Sequence, residues 1–289
     1  MELLGKGRLQ FTSENKFVRI RYIVDFFPQN PGLRGEIGVS YLIQTERFNV
    51  LFDLGLNQRK ETPSTLASNL HEMKLEHQKL DGIVISHNHQ DHVGGLKSQR
   101  HRTPAVEQIT RECREGATIW TPVPVNVGSM KAVTVTGPTE LFPGLATTGP
   151  MPAHMYFLGD VMEQALLLPV VGKGLIFVTG CGHPGIVEMV RLAKSITGMN
   201  VFAVVGGLHL MLKGRSLIQG ILGSADAPWA GLKENDIRRI AKELLDLGVR
   251  QIAPSAHDTC DVALGILREV FANGYLEVKV GGEHVFASV

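Results

Sequence analysis

From position 86 the chain reads Ser86-His87-Asn88-His89-Gln90-Asp91-His92, so three imidazoles and a carboxylate leave one short loop together. The loop follows Gly82-Ile83-Val84-Ile85, a compact apolar run that reads as a buried strand. It precedes Gly94-Gly95, a pair that permits a tight turn into a helix. Alternate spacing at His87 and His89 lets both rings point at one ion, leaving Asp91 and His92 to serve a neighbouring one. Imidazole and carboxylate are the usual donors for Zn(II), Fe(II) or Mn(II). A polar capping loop with incidental histidines is the alternative; it accounts for a lone histidine better than for four donors within six residues.

The rest of the chain supplies sheets and helices to hold such a loop. Val18 to Asp25, Gly38 to Gln44 and Asn49 to Asp53 are short, rich in Val, Ile, Tyr and Phe, and bounded by turn residues, which predicts strands. Thr62-Pro63-Ser64 opens a helix that the pattern carries to about Leu80. Short strands return between Thr118 and Pro150. Ala165 to Val171 and Gly174 to Thr179 form a hairpin around Gly172-Lys173. Thereafter helices (Pro184 to Thr197, Glu234 to Leu247, Val262 to Ala272) alternate with strands (Val201 to Gly206, Gln251 to Ala253). Two groups of strands with helices outside predict a layered α/β fold, a four-layer αββα sandwich, formed as a single domain over 1–289. The irregular stretch Met211 to Gly231 is longer than a connector needs and is a candidate active-site lid or an ordinary surface excursion.

Composition narrows the setting. A net charge of +1 with 20% charged residues gives no general pull toward nucleic acid or membrane. The segment Met1 to Val24 lacks a signal-peptide pattern, and no stretch approaches the roughly 20 apolar residues of a membrane helix. Cys113, Cys181 and Cys260, odd in number and widely spaced, suit reduced thiols in a cytoplasmic protein. His71, His77, His101 and His284 lie among polar neighbours and read as solvated.

The H-x-H-x-D-H arrangement resembles the signature of the metallo-β-lactamase superfamily, and Leu51-Phe52-Asp53-Leu54-Gly55 looks like that family's strand ending in a structural aspartate. Three later segments are similar to one subgroup, the proteins related to dihydropterin-ribofuranosylaminobenzene phosphate synthase. They are Thr179-Gly180-Cys181-Gly182-His183, Gly206-Gly207-Leu208-His209-Leu210 and His257-Asp258-Thr259-Cys260, where the subgroup commonly reads T-G-C-S-H, G-G-x-H-L and H-C-T-G. The likeness runs from about Val39 to Val280. It implies two divalent metal ions, zinc first with manganese or iron as alternatives, one held by His87, His89 and His183 and the other by Asp91, His92 and His257. Asp53 would orient a ligand from behind, Asp91 and His209 would be catalytic, and His209 would line the substrate pocket. Many relatives carry a metal-bridging aspartate where this chain has Cys181, which reads either as a thiolate donor or as a packed small hydrophobe. Asp258, standing where the subgroup has cysteine, is a further acid or extra ligand. His154, in Pro152-Ala153-His154, competes with His183 for the first metal.

The resemblance implies a hydrolase, or a related transferase, that uses metal-activated water on a small phosphorylated or pterin-like molecule. The exposed-looking bases Lys97, Arg100, Arg102, Arg111 and Arg114 could hold a phosphate or simply form a solvated helix face. An iron-containing redox member of the same fold, a nucleic-acid processing enzyme and a noncatalytic metal-binding module are the competing readings; near-neutral charge weighs against nucleic acid. Oligomeric state is not legible.

Overall fold

The computed structural model describes residues 8–155, 159–212 and 231–288. In chain order the strands are β1 (Phe17–Val24), β2 (Ser40–Gln44), β3 (Asn49–Phe52), β4 (Leu80–Val84), β5 (Cys113–Thr121), β6 (Lys131–Thr134), β7 (Thr139–Phe142) and β8 (Leu145–Thr147). They continue as β9 (Met151–Met155), β10 (Gly159–Glu163), β11 (Leu166–Val170), β12 (Gly174–Thr179), β13 (Val201–Gly206), β14 (Gln251–Pro254) and β15 (Glu283–Ala287). One sheet has seven strands in the order β15-β1-β2-β3-β4-β5-β6, a second has six in the order β14-β13-β12-β11-β8-β7, and β9 and β10 form a separate ribbon.

Alternation of side chains along the strands creates the layers. On β12, Ile176 and Val178 face inward and meet Val18, Ile20, Tyr41, Val50 and Phe52 from the other sheet. Leu175 and Phe177 face outward against α4 (Ile186–Thr197), α5 (Glu234–Asp246) and α6 (Asp261–Phe271). The seven-stranded sheet repeats the arrangement: Leu42, Leu51 and Ile83 point away from the sandwich core toward Leu66 and Leu70 of α1 (Thr65–Glu72). Strands covered on both faces must be apolar at nearly every position, which is why these segments read as continuous hydrophobic runs. The helices contribute single stripes instead, such as Ile237, Ala241 and Leu244 of α5. Each fully buried Leu, Ile or Phe stabilises by about 1.5–3 kcal/mol. The result is an αββα sandwich.

Some boundaries differ from the sequence expectation. The helix opened by Ser64, whose hydroxyl accepts the Ala67 N–H, stops at Glu72 rather than near Leu80. Lys74 adopts a left-handed φ of +57°, Lys74 N–H donates to His71 O and Leu75 N–H to Leu70 O. That is a Schellman closure, sealed by buried Leu70 and Leu75. The helix expected from Pro184 begins at Ile186, because Gly185 has φ +92°. His284 is half-buried rather than solvated, its Nδ1 lying 2.7 Å from the Tyr22 hydroxyl. The candidate lid, Met211 to Gly231, falls almost entirely outside the described residues. Among the described residues no helix is long and apolar enough to cross a membrane.

β3 and β4 run parallel, as do β12, β13 and β14, so the carboxyl ends of each group open at one edge. Gln164 stitches the two edges together: its backbone N–H donates to Ser86 O and its side-chain amide donates to Ile85 O. Ligand sites of α/β proteins gather at such strand ends.

Candidate metal centre

Three loops converge at this edge. The first leaves β4 and turns through α2 (Gln90–Val93), with Gly94 left-handed at φ +87°, into α3 (Leu96–His101). The second leaves β12 at Gly180-Cys181-Gly182-His183, and the third leaves β14 at Ser255-Ala256-His257.

His87 Nε2, His89 Nδ1 and His183 Nε2 form a triangle with sides of 3.0, 3.2 and 3.2 Å. Three nitrogens bound to one tetrahedral zinc at 2.0–2.1 Å would lie about 3.4 Å apart. His87 Nδ1 lies 2.9 Å from the Ser86 hydroxyl, which itself donates to Asp53 Oδ2, so Nδ1 carries the proton and Nε2 turns a lone pair inward. Burial lowers His87 and His183, and lowers His89 to about 4, so these rings are neutral at physiological pH. A cation at the centre of the triangle would be within reach of all three nitrogens.

The second group comprises Asp91, His92, His257 and Cys181, whose donor atoms lie within 4.8 Å of one another. His92 Nε2 is 3.4 Å from Asp91 Oδ2 and 3.1 Å from Cys181 Sγ; His257 Nε2 is 3.2 Å from the same sulfur. Burial lowers His257 to about 3. Burial also lowers His92, but Cys181, Asp91 and Asp53 more than reverse this and favour a positive charge at that position, whether a proton or a metal ion supplies it. For Asp91, burial raises the carboxyl, and His92 foremost holds it well below the usual carboxylate range.

Each donor loop is braced by a buried carboxylate. Asp53, held at φ +64° just beyond β3, accepts the Ser86 N–H and hydroxyl and lies 2.7 Å from His92 Nδ1. Glu163 accepts the backbone N–H groups of Cys181, Gly182 and His183 at 2.8–3.0 Å, together with the Thr179 hydroxyl. Asp25 accepts from the Tyr41 and Ser255 hydroxyls at 2.7 and 2.6 Å, and Ser255 Oγ lies 2.6 Å from His257 Nδ1. Such partners fix ring orientation and tautomer. Sequence reasoning anticipated Asp53 but missed Asp25, Glu163, Ser86 and Ser255. One signal was present: Asp25 ends its strand after Ile23-Val24 just as Asp53 follows Leu51-Phe52.

The remaining candidates separate cleanly. His209, with φ +52°, stacks edge-on with its ring centroid 4.8 Å from that of His183, at the rim of the first group. Asp258 is buried and accepts the Leu208 and His209 backbone N–H groups, bracing the His209 turn rather than joining either donor group. Burial pushes its carboxyl up to about 7. His154 is exposed on β9 beside Asp160, away from the cluster. Lys97, Arg100, Arg102, Arg111 and Arg114 are all exposed, and Arg114 pairs with Asp81 at 2.9 Å.

The chain belongs to the metallo-β-lactamase superfamily, whose family model matches residues 33–187. It is similar to 7,8-dihydropterin-6-methyl-4-(beta-D-ribofuranosyl)-aminobenzene-5'-phosphate synthase of Methanocaldococcus jannaschii, at 28% identity over 226 residues, covering 65% of this chain and 75% of the relative. Its fold matches that of Tm1679, described as a metal-dependent hydrolase of the beta-lactamase superfamily, with TM-score 0.64 and 20% identity, covering 94% of this chain and all of the other. It also matches the metallo-beta-lactamase fold protein YhfI from Bacillus subtilis, with TM-score 0.57 and 14% identity, at 94% and 100% coverage.

Proposed function

We propose that the protein is a metal-dependent hydrolase, or a related transferase, acting on a small phosphorylated or pterin-like molecule. The observation that carries this reading is the pair of adjacent donor groups, His87-His89-His183 and Asp91-His92-His257, meeting at the strand ends of two sheets. Two divalent ions, zinc by the balance of nitrogen, oxygen and sulfur donors, would supply Lewis acidity and lower the pKa of water toward neutrality. The protein's part is orientation. Asp91, an ionised member of the second group, would align a water molecule or take its proton. His209, at the rim beside His183, faces the substrate side and donates to a leaving group. Asp258 holds the His209 turn in its left-handed conformation.

The substrate class rests on the dihydropterin relative, whose product carries a phosphate and a heterocycle. The unit that performs the reaction is one domain spanning 1–289, since the site draws residues from Asp25 to Asp258. The free Cys113, Cys181 and Cys260 suit a reducing, cytoplasmic setting.

The test is elemental analysis of protein purified without added metal, alongside hydrolysis assays on phosphate esters, phosphodiesters and pterin derivatives. Two zinc ions per chain and turnover of a member of that panel, both lost in His89→Ala, support the reading. Iron with oxygen-dependent turnover and no hydrolysis would replace it with redox chemistry, and metal without turnover of any kind would make the protein a binding module.

A further inference from the structure

Cys181 occupies a position that neither group of donors explains alone. Its sulfur lies with Asp91, His92 and His257 in one group and with His87 and His183 in the other, every pair of donor atoms within each group being within 4.8 Å. His92 Nδ1 faces Asp53 and His257 Nδ1 faces Ser255, so both rings turn Nε2 toward the sulfur, at 3.1 and 3.2 Å. With both rings neutral, as metal ligation requires, a thiol with one hydrogen to give can satisfy only one of the two nitrogens. A tetrahedral ion bound to sulfur at about 2.3 Å and to nitrogen at about 2.05 Å would set these atoms roughly 3.6 Å apart, about half an ångström beyond the observed spacing.

The backbone leaves the sulfur little choice. Glu163 grips the Cys181 N–H, and the preceding residue must be glycine because a Cβ at Gly180 would lie 2.2 Å from Ser86 Oγ. The Cys181 side chain therefore projects into the seam between the two donor groups, where it is only 3% exposed.

We propose that Cys181 Sγ is a thiolate ligand shared by both metal ions, an inference that rests on the two-metal reading above. The thiol proton leaves to solvent as the sulfur–metal bonds form. A shared sulfur favours zinc, iron and cobalt over magnesium, calcium and manganese, whose preferred donors are oxygen. It also links the two positions electronically, so that loading one changes the other.

Metal-free protein titrated with Co(II) and followed in the near ultraviolet reads this directly, because thiolate-to-Co(II) charge transfer absorbs there and imidazole or carboxylate ligation does not. The expected result is a band that grows through both the first and the second equivalent, unchanged in Cys260→Ser and Cys113→Ser, and absent in Cys181→Ser. Growth that stops at one equivalent would show a sulfur bound to a single ion and overturn the sharing. Uptake of two equivalents with no band would overturn Cys181 ligation while leaving the two-metal reading intact. Failure of the wild-type protein to take up Co(II) would overturn both. The wild-type titration decides without relying on any variant to fold.

Discussion

Asp25 and His257 are linked by one hydroxyl: Ser255 Oγ donates to Asp25 Oδ2 at 2.6 Å and lies 2.6 Å from His257 Nδ1. Because the hydroxyl hydrogen is committed to Asp25, the ring must donate from Nδ1, which leaves the Nε2 lone pair facing the Asp91, His92 and Cys181 donors. Ser255→Ala removes this constraint. The expected result is a loss of about 10–100-fold in affinity at the position served by Asp91, His92 and His257, with the His87-His89-His183 position changed far less. Competition with a chromophoric chelator, resolved into two binding steps, measures both. Equal weakening of both steps would count against the relay.

Glu163 predicts a larger effect on stability. Three backbone donors and the Thr179 hydroxyl converge on one buried carboxylate. Glu163→Ala strands these four donors, at about 1–3 kcal/mol for each one left unpaired, so a total loss of roughly 4 kcal/mol or more is expected. Glu163→Gln, which retains an acceptor oxygen, should fall between the two. Urea unfolding of all three proteins is the measurement.

A pair of glycines makes opposite predictions for the same substitution. Gly180→Ala places a methyl group 2.2 Å from Ser86 Oγ and should cost about 1–3 kcal/mol by overpacking while displacing the hydroxyl that orients His87. Gly265→Ala, in the exposed middle of α6 with nothing within 4 Å of the new carbon, should stabilise by roughly 0.5–1 kcal/mol. Thermal melting distinguishes them by sign.

Chelation should lower the melting temperature, since ions that bind only the folded state stabilise it by about 2.7 kcal/mol at a free concentration 100 times the dissociation constant. Restoring zinc should restore the temperature. In His89→Ala the chelator-induced shift should shrink. Calorimetry with and without chelator checks this.

His284 gives stability a pH dependence away from the metal centre. Burial lowers its pKa below the ordinary 6.5, and the adjacent Glu283 only partly opposes this. Between the two values the unfolded chain binds more protons than the folded one, so stability rises with pH in that window. It is fully retained above 6.5 and is lost as pH falls through 6.5 toward the lower, folded value. His284→Gln should flatten this part of the profile, which unfolding free energies from about pH 8 to about pH 5 will show.

The donor loops were legible because their residue types are rare in combination and because each follows an apolar run that can only be an interior strand. His87, His89, Asp91 and His92 lie within six residues, and His183 and His257 stand just past Thr179 and Pro254. The helix beginning at Thr65 was misjudged in length because a lysine, Lys74, takes the left-handed closing position that glycine usually advertises. Asp25 and Glu163 were missed because a buried acid and a solvated one look alike in sequence; what separates them is which N–H and O–H groups arrive from distant segments. The ribbon β9–β10 and the edge strand β15 carry alternating exposed residues with little apolar signal. His284 was misread for the same reason, since its cover comes from Tyr22, 262 residues away.

The division of donors between the two sheets sets an order of events during synthesis. His87, His89, Asp91 and His92 emerge from the ribosome before their counterparts that follow β12 and β14. A nascent chain therefore carries an open, four-donor claw long before it can close around an ion. The full set of donors around either position is assembled only when the second sheet docks against the first.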